Sequence, residues 1–138
     1  MKTKKILLGG LAGGVTFFLL GWLIYGVLLM DYMTANSNQC ASKPMGEMIF
    51  WALILSNLAY GFLIACVINW SNTTGVMSGV RIGAVVGFLF ATSIDLSFYS
   101  MTNMYSNLTP LFVDIIVTIA ITSVLGGVAA WVMAMVNK

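Results

Sequence analysis

Long apolar runs separated by short polar stretches dominate the pattern of this chain. Three of these runs hold no charged side chain: 6–30, 48–70 and 115–137. A fourth run, at 80–101, includes Arg81 and Asp95 and is long enough only with both of them. Because an α-helix needs about 20 consecutive apolar residues to cross the hydrocarbon core of a bilayer, the pattern predicts four transmembrane helices. We place them at about 6–30, 48–70, 80–101 and 110–136.

Composition restricts the chain to the membrane class. Hydrophobic residues make up 60% of its 138 residues, charged residues make up 7%, and the mean hydropathy is +1.00. Soluble domains carry about 25% charged residues. We therefore expect one membrane domain over residues 1–138, with an all-α, four-helix polytopic fold in the lipid bilayer. The net charge of +2 is small and the bases are scattered, so nucleic acid is not an expected partner.

The charged side chains separate toward opposite ends of the predicted helices. One end collects five bases: Lys2, Lys4, Lys5, Arg81 and Lys138. The other end holds all four acids and one base: Asp31, Glu47, Asp95, Asp114 and Lys43. Because cytoplasmic loops carry excess Lys and Arg, we predict that both termini are cytoplasmic. The first apolar run is about 25 residues long, whereas a secretory signal needs about 7–15, so we expect a retained helix.

Small and polar residues recur at four-residue spacing along the later helices. The third helix gives the longest stripe: Gly79, Gly83, Gly87, Ala91, Asp95, Tyr99 and Asn103. The fourth gives Asp114, Thr118, Thr122, Gly126 and Ala130. Residues four apart share one helix face, and in lipid close packing depends on small residues. These two helices are therefore predicted to form a hairpin, with Asp95 and Asp114 at similar depth on the packed side.

An ionisable side chain inside a bilayer costs at least about 2.5–3.5 kcal/mol and usually faces a partner, a cavity or a pathway. Two nearby carboxylates in a low dielectric are expected to share a proton or to hold a cation. We therefore predict an acidic, outward-facing pocket that binds or transports a cation, a proton or a small cationic solute. Its candidate residues are Asp95, Asp114, Glu47, Asn57, Tyr60, Tyr99 and Asn103.

A purely structural role for the two aspartates is the competing interpretation. In it, Ser93, Ser97 or a tyrosine hydroxyl satisfies Asp95, while Asp114 caps its own helix near the headgroups. Replacing Asp95 with Asn separates the two interpretations, because only the pocket predicts a folded protein that has lost its ligand.

Methionine pairs suggest a second kind of site. Three Met-x-x-Met pairs lie at the predicted outer end: Met30/Met33, Met45/Met48 and Met101/Met104. Thioethers are soft ligands that select Cu(I), and spacing of three on a helix places both sulfurs on one side. A Cu(I) site is therefore a lesser alternative. Ordinary packing by flexible apolar side chains also explains methionines at these positions.

Enzymatic chemistry and a cofactor are not expected. The chain contains no His, and we find no Gly-x-Ser-x-Gly elbow, phosphate loop or Cys beside a base. An aspartate pair can perform acid–base chemistry, but no nucleophile or substrate-orienting Arg accompanies this one.

A structural or assembly subunit that packs against other membrane proteins is the main alternative function. The pairs Gly9/Gly13 and Gly10/Gly14 on the first helix would mark it if they faced lipid rather than this chain's own helices. Transport requires a homo-oligomer or another membrane-protein partner, because so short a chain encloses only a narrow pathway. Trp22 lies too deep for an interfacial anchor and is expected to pack internally.

Four short stretches of the chain belong together in one comparison: Phe18-Leu-Leu-Gly-Trp-Leu-Ile-Tyr-Gly26, Thr102-Asn103, Leu111-Phe-Val-Asp114 and Gly126-Gly127. Together they resemble a family. It is a widespread family of short four-helix bacterial membrane proteins known as a domain of unknown function. The family usually has a Trp-Tyr pair where this chain has Ile24-Tyr25. The resemblance implies a compact four-helix bundle in the bacterial inner membrane, without an established activity. It draws attention to Asn103 and Asp114 and assigns them no role.

Overall fold

The structure is a computed structural model that describes residues 2–136, apart from the side chain of Met45. Its α-helices are α1 (Lys2–Leu23), α2 (Met30–Asn36), α3 (Phe50–Trp70), α4 (Val76–Met101) and α5 (Leu108–Met135). A π-helical segment, Ile24–Leu28, continues α1. Four helices are long and apolar enough to cross a membrane: α1 with its π segment, α3, α4 and α5. The prediction of an all-α bundle with four membrane-spanning helices is confirmed.

Of the helix boundaries that differ from the predicted ones, two have a clear local cause. The α4 helix already starts at Val76, because Gly75, at φ 97°, reverses the chain just before it. The first helix does not run unbroken to Met30. It widens into the π segment and stops at Leu29, whose φ of −104° and ψ of 3° are not helical. The short α2 then leads into the loop.

The hairpin of α4 and α5 is built on contact between backbones. A Cβ atom added at Gly79 would collide with the carbonyl oxygen of Gly126, and one added at Gly83 would collide with that of Thr122. The buried residues of α4 are Gly79, Gly83, Gly87, Ala91 and Asp95. The predicted stripe is therefore correct as far as Asp95. Such close approach maximises dispersion contact where lipid provides no hydrophobic drive.

The α1 helix packs antiparallel to both α3 and α5. Gly14 lies against Leu58 of α3, and a Cβ added at Gly61 would meet the backbone of Gly10 and Gly14. On its other side, α1 places Gly9 beside Met133 of α5. The central core contains the fully buried side chains of Ile64 and Leu125. The start of α1 and the end of α5 therefore lie at the same end of the bundle.

At the opposite end, the two long loops pair with each other. Ser37 and Tyr105 form an antiparallel bridge. The Asn38 amide donates to the Met104 carbonyl at 2.7 Å, and the Ser106 amide donates to the Asn36 carbonyl at 3.4 Å. These backbone hydrogen bonds tie α2 to the α4–α5 connection, so both loops cover the same end of the bundle.

Candidate functional site

A cavity of about 600 Å³ lies beneath the paired loops. The first membrane-spanning helix, α2, the start of α3 and the first half of α5 enclose it. Its wall is mostly apolar and includes six aromatic residues: Phe17, Phe18, Trp22, Tyr25, Phe50 and Tyr105. Four methionines also line it: Met30, Met33, Met48 and Met104. Among the residues that the structure describes, no Lys or Arg side chain contributes to this wall.

The π segment shapes one side of the cavity. A π turn holds more residues than an α turn and locally widens the helix, a feature often found at functional sites. Here it carries Tyr25 and Gly26, both of which line the cavity. Trp22, one turn earlier, is 57% exposed and also faces the cavity. The prediction that Trp22 packs inside the bundle is therefore wrong.

Polar groups of the wall lie in two places: the end of α2 with the loop after it, and α5 with the residues facing it. The Tyr25 hydroxyl lies 3.4 Å from the Asp114 carbonyl oxygen, to which it donates, and 3.4 Å from the Thr118 hydroxyl. Asp114 and Thr118 line the cavity one helical turn apart, and Asn57 contributes from α3. The Asn57 amide donates to the Leu53 carbonyl of its own helix at 2.6 Å. Asp114 thus provides the one carboxyl group among the described residues of the wall.

Asp95 lies behind this wall. It is 4% exposed and is absent from the cavity lining, although Tyr105 and Asp114 beside it both line the cavity. The Tyr105 hydroxyl donates to Asp95 Oδ1 at 3.2 Å, whereas Oδ2 is buried without a hydrogen-bond partner. Asp114, on the neighbouring helix α5, is near enough for its charge to act on Asp95 and on the Tyr105 phenol that donates to Asp95. The two predicted carboxyls are thus together, but only Asp114 reaches the cavity.

Tyr105, in the connection between α4 and α5, separates Asp95 from the cavity. Burial, followed by the charges of Asp114 and Asp95, raises the pKa of the Tyr105 phenol well above its ordinary value. The phenol therefore keeps its proton near neutral pH and acts as a hydrogen-bond donor to Asp95.

The competing structural interpretation is only partly consistent with these contacts. A tyrosine hydroxyl does reach Asp95, as that interpretation proposed, but it satisfies one oxygen of the two. Ser97 donates instead to the Ser93 carbonyl at 2.7 Å. The start of α5 is capped by Asn107, whose side chain accepts from the Thr109 amide at 3.0 Å. Asp114 is therefore not the cap of its helix.

The remaining predicted residues lie apart from the cavity wall. Tyr60 is buried in the bundle, stacked on Phe17 with ring centroids 4.8 Å apart. Glu47, Tyr99 and Asn103 are exposed and do not line the cavity. The predicted stripe on α4 fails beyond Asp95, because Met104 and Tyr105 of the loop, rather than further α4 side chains, close the cavity there.

The predicted methionine pairs are divided by the structure. Met30 and Met33 both line the cavity, as does Met48, whereas Met104 lines it without its predicted partner Met101. Met101 is 76% exposed elsewhere, and the side chain of Met45 lies outside the described part. Within that part, no group of three or more Cys, Asp or Glu side chains is arranged to hold a metal ion.

The aromatic residues of the cavity wall were not predicted as site residues from the sequence. Gly21 and Gly26 flank Trp22 and Tyr25, and a Cβ at Gly21 would meet nothing within 4 Å. The sequence signal for a recess in this helix was the position of these two glycines beside a Trp and a Tyr.

Comparison with protein-family models, curated proteins and solved structures finds no match to this chain. The resemblance to the four-helix bacterial family therefore stays a prediction, and the site is interpreted from its own geometry.

Proposed function

We propose that this protein binds a small apolar cation in the cavity beneath its paired loops. One observation carries the proposal: a single carboxyl side chain, Asp114, lies in a mostly apolar wall with many aromatic and thioether side chains and no described base. Ligand sites are typically concave and mostly apolar, with a few polar groups that orient the ligand. A hydrophobic ligand with one positive charge matches both parts of this wall.

The aromatic residues add attraction for the same class of ligand. A cation over the face of a Trp, Tyr or Phe ring gains about 0.5–2 kcal/mol, depending on how far it is desolvated. Trp22, Tyr25 and Tyr105 line the cavity together with Asp114. Small inorganic cations gain less from such a wall, because they exchange a complete hydration shell for few oxygen ligands. We therefore favour an organic cation.

The glycines of α1 favour binding over a role in assembly. Gly9, Gly10, Gly13 and Gly14 are all buried against this chain's own α3 and α5. They are not left on the lipid-facing surface, where a partner helix would need them. Transport of the bound cation would in addition require that the chain form a homo-oligomer or join another membrane protein.

The proposed setting is the bacterial inner membrane, with the cavity at its outer face. Lys2, Lys4 and Lys5 start α1 at the end away from the cavity, and Arg81 lies in the second turn of α4 at that same end. The excess of bases on cytoplasmic loops supports cytoplasmic termini. Lys43, in the loop beside the cavity, is the described exception.

Binding of tetraphenylphosphonium tests the proposal. The reporter is a variant with Trp51→Phe, Trp70→Phe and Trp131→Phe, which leaves Trp22 as the single tryptophan and the only one of the four that lines the cavity. We expect the probe to quench Trp22 fluorescence saturably in detergent. Asp114→Asn in this background should weaken binding about tenfold or more, equal to about 1.4 kcal/mol for the lost charge.

Glu47→Gln provides the matched control, because Glu47 is an exposed carboxylate outside the cavity wall. Its affinity for the probe should stay unchanged. Tetraphenylborate, of similar shape and opposite charge, should quench Trp22 no more than detergent partitioning alone does. Equal binding of both ions, or equal affinity in the Asp114→Asn and Glu47→Gln variants, would contradict the proposal.

A second candidate ligand is Cu(I), favoured by the four methionines in the same wall. Under reducing conditions, competition with a Cu(I) chelator should then show binding that Met33→Leu with Met104→Leu removes. Met101→Leu with Met135→Leu is the control, because neither residue lines the cavity. Failure of the unmodified protein to compete at micromolar Cu(I) rejects this candidate.

A further inference from the structure

Asp95 and Asp114 are two carboxyl side chains beside the cavity, of which Asp95 is buried and Asp114 is partly buried. Asp95 Oδ2 has no hydrogen-bond partner although it is buried. An ionised carboxylate left in this way is costly, since each buried charge needs a compensating charge or hydrogen bonds. A proton held between the two carboxyls provides that compensation, because a protonated carboxyl becomes a donor to its neighbour.

The groups around the pair offer no other source of positive charge. Tyr105 donates to Asp95 from the α4–α5 connection, and the Tyr25 hydroxyl of the π segment donates to the Asp114 carbonyl oxygen. The Tyr60 hydroxyl, on α3, is buried without a hydrogen-bond partner and so bonds to neither carboxyl. No described Lys or Arg side chain lines the cavity beside the pair. The two carboxyls therefore have only each other, two phenols and the contents of the cavity as partners.

Resting on the cation binding proposed above, we infer that Asp95 and Asp114 form a proton–cation exchange site: the pair holds one proton while the cavity is free of cation and releases it when a cation binds. The cation takes over the charge compensation that the proton provided. One positive charge enters and one leaves, so the charge of the site is conserved. Only Asp114 needs to contact the cation, because the two carboxyls share the proton that the cation replaces.

The geometry provides a route for the released proton. Asp114 lines the cavity directly, and the Tyr105 hydroxyl bridges from the cavity wall to Asp95 Oδ1. A proton on the inner carboxyl can therefore reach water in the cavity through its neighbour on α5. No covalent chemistry is required, and no other group changes its charge.

The exchange has a defined signature in the binding equilibrium. Where the free pair carries the proton and the complex does not, linkage makes the affinity rise about tenfold per pH unit. The affinity rises rather than falls with pH because the proton and the cation compete for the same carboxyl pair, and a higher pH removes the proton. Tetraphenylphosphonium affinity should therefore rise with pH up to the pH at which the free pair deprotonates, and then level off. Titration calorimetry in buffers of different ionisation enthalpy should count one proton released per cation.

Asp95→Asn separates the exchange from binding itself. An Asn at this position can still accept from Tyr105 and can donate an amide hydrogen to Asp114, as the shared proton does. We expect this variant to bind the probe without releasing a proton and with an affinity independent of pH in the same range. Glu47→Gln should release the same proton as the unmodified protein.

The possible outcomes distinguish the two proposals. Absence of probe binding at every pH overturns the proposed function, whereas binding without proton release in the unmodified protein overturns only the exchange. If Asp95→Asn does not fold, infrared difference spectroscopy on the unmodified protein decides. Loss of a protonated-carboxyl band when tetraphenylphosphonium binds supports the exchange, and an unchanged carboxyl region contradicts it.

Discussion

Replacing both Gly79 and Gly83 with alanine is expected to remove a large share of the stability of the bundle. The two added methyl groups would collide with the carbonyl oxygens of Gly126 and Thr122, which are backbone atoms and cannot rotate away. Overpacking costs about 1–3 kcal/mol per site, so the pair should cost about 2–6 kcal/mol, against a total of about 5–15 kcal/mol for a typical protein. The measurement is reversible unfolding in mixed micelles, followed by circular dichroism.

The matched control places the same substitution where there is space. A Cβ added at Gly21 or at Gly46 would meet nothing within 4 Å. The double variant Gly21→Ala with Gly46→Ala should therefore unfold within about 1 kcal/mol of the unmodified protein, because alanine is also the better helix former at position 21. If both double variants unfold alike, the close backbone contact between α4 and α5 is not present.

Chemical labelling of the two cysteines is expected to give an all-or-none result. Cys40 is exposed in the loop beside the cavity, whereas Cys66 lies in α3, toward the opposite end of the bundle. With the proposed orientation, a membrane-impermeant maleimide added to bacterial spheroplasts should label a variant that retains only Cys40 (Cys66→Ser). A variant that retains only Cys66 (Cys40→Ser) should stay unlabelled.

Opening the membrane distinguishes orientation from reactivity. After the spheroplasts are broken, Cys40 should show no further labelling, because it was already accessible. Labelling of Cys40 only after breakage would place the cavity at the cytoplasmic face and reverse the proposed orientation. It would leave the cavity and its carboxyl pair unchanged, since neither depends on which side the loops face.

Much of the fold is predictable from the sequence because lipid changes what drives packing. Apolar side chains gain little from leaving lipid for the protein interior, so small residues rather than large ones mark the helix interfaces. The four-residue repeat from Gly79 to Asp95 therefore identified the packed face of α4. The end of the first helix was not predictable in this way. The run from Ile6 to Met30 is uniformly apolar and contains no proline, so its pattern does not distinguish an α turn from a π turn.

The candidate site was only partly predictable for a related reason. Depth along the helices brought Asp95 and Asp114 together, because helical rise fixes depth well. The depth of a residue along its helix does not reveal whether a loop covers its side chain. The pairing of Ser37 with Tyr105 brings Met104 and Tyr105 over the end of α4, which separates Asp95 from the cavity and leaves Tyr99 outside. Such loop contacts depend on backbone hydrogen bonds between distant segments and have no periodic signature in the sequence.

The wall of the cavity is shared between two environments. Trp22, Phe50 and Leu53 are exposed apolar side chains of membrane-spanning helices, whereas Asn38, Gln39 and Ser42 belong to the loop above them. A solute dissolved among the acyl chains and a solute dissolved in water thus meet the same recess. For an amphiphilic cation, occupancy of the cavity would follow the concentration of the cation in the adjacent leaflet. Its partition coefficient into lipid would then determine the aqueous concentration needed for occupancy as strongly as its affinity for the cavity does.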